Sequence, residues 1–147
     1  AARMELAEYV VNANILFSAV LKQKGLYEEL AERFVFYTPD FVLLELQKYR
    51  RLILQKTATD PARLRTFTTQ FFRKVTVMPD YIISEEALKT AAQLCADIDP
   101  KDVMYVALNE DLQTTLLTRD KPLYDGLKAK GYERVKLFDE FVREQFA

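Results

Sequence analysis

Tyr9-Val-Val-Asn-Ala-Asn-Ile-Leu-Phe17 decides the fold, because a short apolar strand at residues 9–11 leads directly into a helix predicted over about 15–31. Short apolar segments alternate with helical segments along the rest of the chain. Short strands between helices predict βαβ crossovers and a parallel sheet covered on both faces. The remaining strands are predicted at 34–37, 75–77, 114–118 and, more weakly, 134–136. The remaining helices are predicted at 38–54, 61–73, 84–96, 99–111, 121–130 and 137–146.

Three of these helices carry the same start signal, a capping residue followed by proline. Thr38-Pro39, Asp60-Pro61 and Asp99-Pro100 each place a side chain that can accept from backbone N–H groups before a proline at the first helical position.

The length of 147 residues favours one domain, expected over 4–147, with Ala1-Ala-Arg3 as a vector remnant before Met4. The single cysteine, Cys95, excludes an intrachain disulfide and favours a reducing cytoplasm. There is no apolar run of 18 residues, so we expect neither export nor a membrane span.

The lack of histidine and the small number of glycines limit the kinds of catalytic and binding site that the chain can form. The chain has no histidine, which excludes histidine-based catalytic triads and histidine–zinc sites. It has only three glycines, which excludes a glycine-rich phosphate loop. Any metal must therefore be held by oxygen atoms, and oxygen ligands favour Mg²⁺ or Mn²⁺.

Charge is distributed unevenly although the net charge is only −1. Residues 48–74 carry eight Lys or Arg residues and one acid, whereas residues 80–120 carry nine acids and three basic residues. This asymmetry is typical of a protein that holds a metal on one side and a polyanion on the other. The residues expected to contact a nucleic acid are Arg50, Arg51, Arg63 and Arg65, with a solvated helix surface as the alternative.

Four polar residues form the candidate site: Asn12, Glu45, Asp102 and Asp120. Asn12 follows the first strand and Asp120 follows the fourth, so their side chains meet if these strands are neighbours, and ligands bind at that edge of such sheets. Each residue has an ordinary structural alternative. Asp102 and Asp120 suit helix starts, Asn12 suits a turn, and Glu45 suits an ion pair or a solvated edge.

Three stretches resemble PIN-domain ribonucleases, the group that includes the VapC toxins of toxin–antitoxin pairs. The first is Val10-Val-Asn-Ala-Asn-Ile-Leu-Phe-Ser18 and the second is Pro39-Asp-Phe-Val-Leu-Leu-Glu-Leu46. The third comprises Asp99-Pro-Lys-Asp-Val-Met-Tyr-Val-Ala-Leu108 and Leu117-Thr-Arg-Asp-Lys121. The resemblance covers nearly the whole chain from Met4.

The resemblance implies a Rossmann-like fold with strand order 3-2-1-4-5 and RNA cleavage that depends on Mg²⁺ or Mn²⁺. It implies a homodimer, a cognate antitoxin, and acidic ligands at Glu45, Asp102 and Asp120, assisted by Asp99. Asn12 departs from the family, which has Asp there, and the replacement is either natural or an engineered neutralisation.

Two other functions fit the same residues. One is a non-catalytic module that binds RNA or protein through this surface. The other is a phosphotransfer receiver domain, which requires a phosphate-accepting Asp at a strand tip. At the tip of the first strand this chain has Asn12 instead.

Overall fold

Residues 6–146 are described by the structure, a computed structural model. The remnant expected at 1–3 and the start expected at Met4 lie outside these residues. Five strands are formed: β1 (Glu8–Val11), β2 (Val35–Pro39), β3 (Val75–Met78), β4 (Thr115–Thr118) and β5 (Val135–Leu137). All neighbours in the sheet are parallel, and the order is β3-β2-β1-β4-β5. The predicted α/β fold class and strand order are confirmed.

Nine α-helices flank this sheet in the described part of the chain. They are α1 (Ala13–Lys22), α2 (Gly25–Arg33), α3 (Phe41–Lys48), α4 (Arg50–Lys56), α5 (Pro61–Lys74), α6 (Glu85–Cys95), α7 (Val103–Leu112), α8 (Lys121–Ala129) and α9 (Phe138–Phe146). Single turns of 3-10 helix lie at Asp80–Ile82 and Pro100–Asp102. None of the helices in residues 6–146 has the length and apolar character needed to cross a membrane.

Two helix predictions were wrong because the helical pattern runs through a backbone break. The helix predicted over 15–31 is divided into α1 and α2 by Gln23, whose φ of 50° places it in the left-handed region that ends a helix. The helix predicted to continue to Leu54 is divided into α3 and α4 at Tyr49, whose φ of −101° and ψ of 11° are not helical. In both cases the backbone leaves the helical conformation at one residue while the apolar spacing of the sequence continues.

The helix start predicted at Thr38-Pro39 is also wrong. Both residues belong to β2, and Pro39 pairs with Met78 of β3. The hydroxyl of Thr38 donates to the carbonyl of Val11 at 3.1 Å, so it joins two strands and does not cap a helix. Proline fits there because the last residue of a strand can lack its ladder hydrogen bond. The other two signals are confirmed, with Asp60 capping α5 and Asp99 capping the turn before α7.

The centre of the sheet explains why its edge carries the site. Val10 and Val11 of β1 pair in register with Leu116 and Leu117 of β4, and all four side chains are fully buried. Burying one such side chain contributes about 1.5–3 kcal/mol. The strand order reverses between β1 and β4, so the crossovers leave this pair in opposite directions and open a crevice at its carboxyl end.

Candidate functional site

A cavity of about 250 Å³ opens at the carboxyl ends of β1 and β4. It contains every polar residue that the sequence singled out for catalysis or metal binding. Its lining includes Asn12, Glu45, Asp99, Asp102 and Asp120, together with Asn14, Phe17, Leu46 and Tyr49. Residues that are more than 100 positions apart in the chain thus meet at the switch point of the sheet.

Asp99 and Asp120 are helix caps as well as lining residues. One carboxylate oxygen of Asp99 accepts from the N–H of Lys101 at 3.0 Å, and one oxygen of Asp120 accepts from the N–H of Leu123 at 3.1 Å. In the described residues no hydrogen bond engages the second oxygen of either carboxylate. Capping therefore fixes both side chains without using their full capacity for ligands.

Asp102 has the most unusual environment of the four acids. It is only 7% exposed, and its Oδ2 atom is buried without a hydrogen-bond partner in the described structure. Burial raises the pKa of Asp102 to about 7, and the nearby charges of Asp120 and Asp99 contribute to this rise. Glu45 adds a smaller effect, and the amide of Asn12 acts in the opposite direction. A positive charge in the cavity would reverse this penalty and return Asp102 to its ionised form.

Asn12, beside this acid, is also buried with incomplete hydrogen bonding. It is 5% exposed, and its Oδ1 atom accepts a long hydrogen bond of 3.4 Å from the N–H of Asn14. Its amide nitrogen is buried and has no acceptor among the described residues. A buried polar group without a partner costs about 1–3 kcal/mol. The amide of Asn12 nonetheless lies close enough to Asp102 to lower the pKa of that acid, so this donor and this acceptor are neighbours in the cavity.

Glu45 is positioned by a buried tyrosine. The hydroxyl of Tyr105, which is 0% exposed, donates to the Oε1 atom of Glu45 at 2.5 Å. Burial raises the pKa of Tyr105 and the bond to Glu45 adds to this rise, so the phenol remains a donor. Within residues 6–146, Glu45 forms no ion pair, so the alternative of a pair with Lys48 or Arg50 is not found.

Asn14, two residues after Asn12, links the first helix to the fourth strand. Its amide nitrogen donates to the hydroxyl of Thr118 at 3.3 Å, and its carbonyl oxygen accepts from the N–H of Arg119 at 3.2 Å. The same hydroxyl accepts from the N–H of Asp120 at 3.1 Å. These bonds tie the start of α1 to the end of β4. In the sequence, the only indication of this link is that polar residues follow β1 and β4 directly.

The four arginines expected to contact RNA are all exposed. Arg50 and Arg51 line a groove with Lys48 along α3 and α4, whereas Arg63 lines a separate groove on α5. Arg65 lies on α5 and lines neither groove.

The first of these grooves is next to the acidic cavity along the chain. Tyr49, which lines the cavity, stands in the chain between Lys48 and Arg50 of the basic groove. On the far side, the ammonium of Lys74 is paired with Glu32 at 2.7 Å and with Glu28 at 3.9 Å, which neutralises that end of the basic stretch.

The donor atoms of the cavity fit a hard divalent cation. They are carboxylate and amide oxygens, which are the ligands that Mg²⁺ and Mn²⁺ prefer. In the part of the chain that the structure describes, no three acidic or cysteine side chains are grouped as a ready set of ligands. Mg²⁺ commonly binds through one or two carboxylates, with water and substrate phosphates completing its shell. The unpartnered Oδ2 atom of Asp102 beside Glu45 and Asp120 suits that mode.

Comparison with known proteins adds two findings. A family model described as "PIN domain" matches residues 10–139, most of the chain. The fold is similar to a chain in the crystal structure of VapBC2 from Rickettsia felis bound to a DNA fragment from their promoter. The TM-score is 0.57 at 18% sequence identity, over 88% of this chain and 96% of that one. No curated protein matches.

Proposed function

This chain belongs to the PIN domain family, and from that premise we propose that it is a PIN-type endoribonuclease that uses Mg²⁺ or Mn²⁺. We further propose that it is the toxin of a toxin–antitoxin pair. The observation that carries the proposal is the convergence of Asn12, Glu45, Asp102 and Asp120 at one cavity, where Asp102 is buried with an unpartnered oxygen.

Each acid has a distinct task in this proposal. Asp102 provides the most buried ligand atom, and it must lose its proton for that task. Glu45 is held over the cavity by Tyr105, and Asp120 is fixed by its cap on α8. Asp99 lies beside Asp102 and assists. A divalent cation held there would stabilise negative charge on the phosphate and make the attacking water more acidic.

Asn12 limits this chemistry. An amide offers one neutral oxygen to a cation, and here that oxygen already accepts from the N–H of Asn14. Its amide nitrogen can donate to a phosphate oxygen but cannot bind a cation. The cavity therefore has one negative charge fewer than the aspartate of the family would give it, and we expect weak metal binding and slow turnover.

This amide also favours the second candidate function, a non-catalytic module that binds RNA or protein. An unsatisfied donor in place of an acid suits an anion better than a metal. The lack of a ready three-acid cluster within residues 6–146 points the same way. Under this alternative the cavity binds a phosphate group without cleaving it.

Partners are proposed from two adjoining surfaces. The groove of Lys48, Arg50 and Arg51 suits an RNA backbone, because phosphate contacts need exposed positive charge. The exposed apolar side chains of α3 and α4 suit a protein partner, either an antitoxin or a second copy of the chain. They include Leu43, Leu44, Leu52 and Leu54. The likeness to VapBC2 supports the antitoxin.

Cleavage of a labelled RNA with added Mn²⁺ tests the catalytic proposal. Asn12→Asp should raise the rate by at least about 100-fold, on the scale expected for restoring a ligand charge. Adding Asp102→Asn to that variant should remove the gain, whereas adding Asp80→Asn should not, because Asp80 is exposed and outside the cavity. Equal rates with and without Asn12→Asp would favour the non-catalytic module.

A further inference from the structure

Two aromatic rings lie in the wall of the acidic cavity. Phe17 of α1 and Tyr49, at the break between α3 and α4, both line it, and their ring centroids are 4.8 Å apart at an interplanar angle of 43°. Tyr49 remains 46% exposed, and Phe17 is half-buried beside it. A supported ring therefore faces solvent at the mouth of the cavity.

Ordinary core packing does not explain this arrangement. Phe71 and Phe141, for example, are almost completely buried in the core. Tyr49 keeps nearly half of its surface in water, and its hydroxyl forms no hydrogen bond with the described residues. Tyr81 and Phe146 are exposed as well, but Tyr49 differs from them in lining the acidic cavity.

The charges on either side indicate what the ring meets. Lys48 and Arg50 are the chain neighbours of Tyr49 and line a basic groove with Arg51, and no ion pair engages these three residues in the described chain. Tyr49 itself lines the acidic cavity. An aromatic ring between a cationic groove and a candidate metal site suits a base whose backbone follows the groove toward the acids.

We propose that Tyr49, supported by Phe17, stacks on one unpaired nucleobase of the bound RNA. This inference rests on the proposed function, and it assigns to Tyr49 one contact with a base within that site. A paired base cannot expose its face to the ring without leaving its duplex. Because every base has a π face, this contact selects for unpaired structure and not for base identity.

Tryptophan fluorescence gives a direct test, because the chain has no tryptophan. Tyr49→Trp would introduce a single reporter at the ring, and Tyr81→Trp is the matched control, being 83% exposed and outside the cavity. The probes are a 12-nucleotide RNA of mixed sequence, its duplex, and an abasic ribose-phosphate 12-mer, all in EDTA to prevent cleavage. Single-stranded RNA should quench Tyr49→Trp saturably, whereas the duplex and the abasic chain should quench it weakly. Equal quenching of Tyr81→Trp would overturn the inference.

Affinity gives a second readout. Tyr49→Ala should weaken binding of the single-stranded RNA by about tenfold, the scale of losing one stacked base, and should leave binding of the abasic chain unchanged. Tyr49→Phe should bind both probes as the unaltered chain does, because it keeps the ring. Equal losses for both probes would reduce Tyr49 to a general contact and overturn the stacking.

The inference and the proposed function can fail separately. If Asn12→Asp cleaves RNA and adding Tyr49→Ala changes neither the KM nor the preference for single strands, the nuclease stands and the stacking falls. If single-stranded RNA is neither bound nor cleaved by the chain or by Asn12→Asp, both fall together.

Discussion

Asp102→Asn should stabilise the metal-free protein at pH 8 and lose that advantage at pH 5. The substitution preserves side-chain size, and it removes no cap because the side chain of Asp102 makes no capping bond to α7. It removes the ionisable group whose pKa is raised to about 7, chiefly by burial. At pH 8 the unaltered chain carries a buried, unpaired charge that the variant lacks.

The sign follows from proton linkage. The folded state holds a proton on Asp102 up to about pH 7, whereas the unfolded chain releases it near pH 4. This contribution to stability is therefore fully present below about pH 4 and is lost as the pH rises through 7. Between pH 8 and pH 5 the unaltered chain gains roughly 3 kcal/mol from this group, and the variant gains none.

Thermal unfolding in EDTA at the two pH values measures the difference. For a chain of this size, roughly 3 kcal/mol corresponds to about 10 °C. The difference in melting temperature between the variant and the unaltered chain should therefore change by about that amount between pH 5 and pH 8. Asp80→Asn is the matched control, since its carboxylate is exposed and makes no hydrogen bond or ion pair within residues 6–146. If the difference in melting temperature between Asp102→Asn and the unaltered chain is the same at pH 5 and pH 8, the pKa of Asp102 is not raised as we describe.

Two further predictions concern the surroundings of the cavity. Tyr105→Phe, in a variant with Asn12→Asp, should lower the rate of RNA cleavage about tenfold while lowering stability by only about 1 kcal/mol, because one hydrogen bond to Glu45, the proposed catalytic glutamate, is lost. RNA cleavage and urea unfolding measure the two effects, and an unchanged rate would leave Tyr105 as core packing. Reversing Arg50 and Arg51 to Glu should flatten the salt dependence of RNA binding more than reversing Arg63 and Arg65, because the first pair directly follows Tyr49, which lines the cavity. Equal effects of the two double variants in fluorescence anisotropy would contradict this prediction.

The sheet was predictable because strands buried on both faces are continuous apolar runs. Val10-Val11 and Leu116-Leu117 show this pattern, and the alternation with helices requires parallel crossovers. The helix breaks at Gln23 and Tyr49 were not predictable in this way. Neither position holds glycine or proline, and the helical apolar spacing continues across both, so only packing reveals where the chain turns.

The site was predictable in its members more than in its interactions. Polar residues just past buried strands and at helix starts identified Asn12 and Asp120, and the topology brought them together. The bond from Tyr105 to Glu45 and the bridge from Asn14 to Thr118 could not be inferred, because each joins segments more than 50 residues apart. The raised pKa of Asp102 likewise depends on burial, which spacing does not reveal.

The central claim is that these acids form a divalent-cation site weakened by the amide at position 12. A calorimetric titration of the metal-free protein with Mn²⁺ at pH 7.5 tests this claim most directly. We predict weak binding by the chain, binding at least about tenfold tighter for Asn12→Asp, and loss of that gain when Asp102→Asn is added. The same Mn²⁺ affinity in all three proteins, or no binding by any of them, would contradict the account.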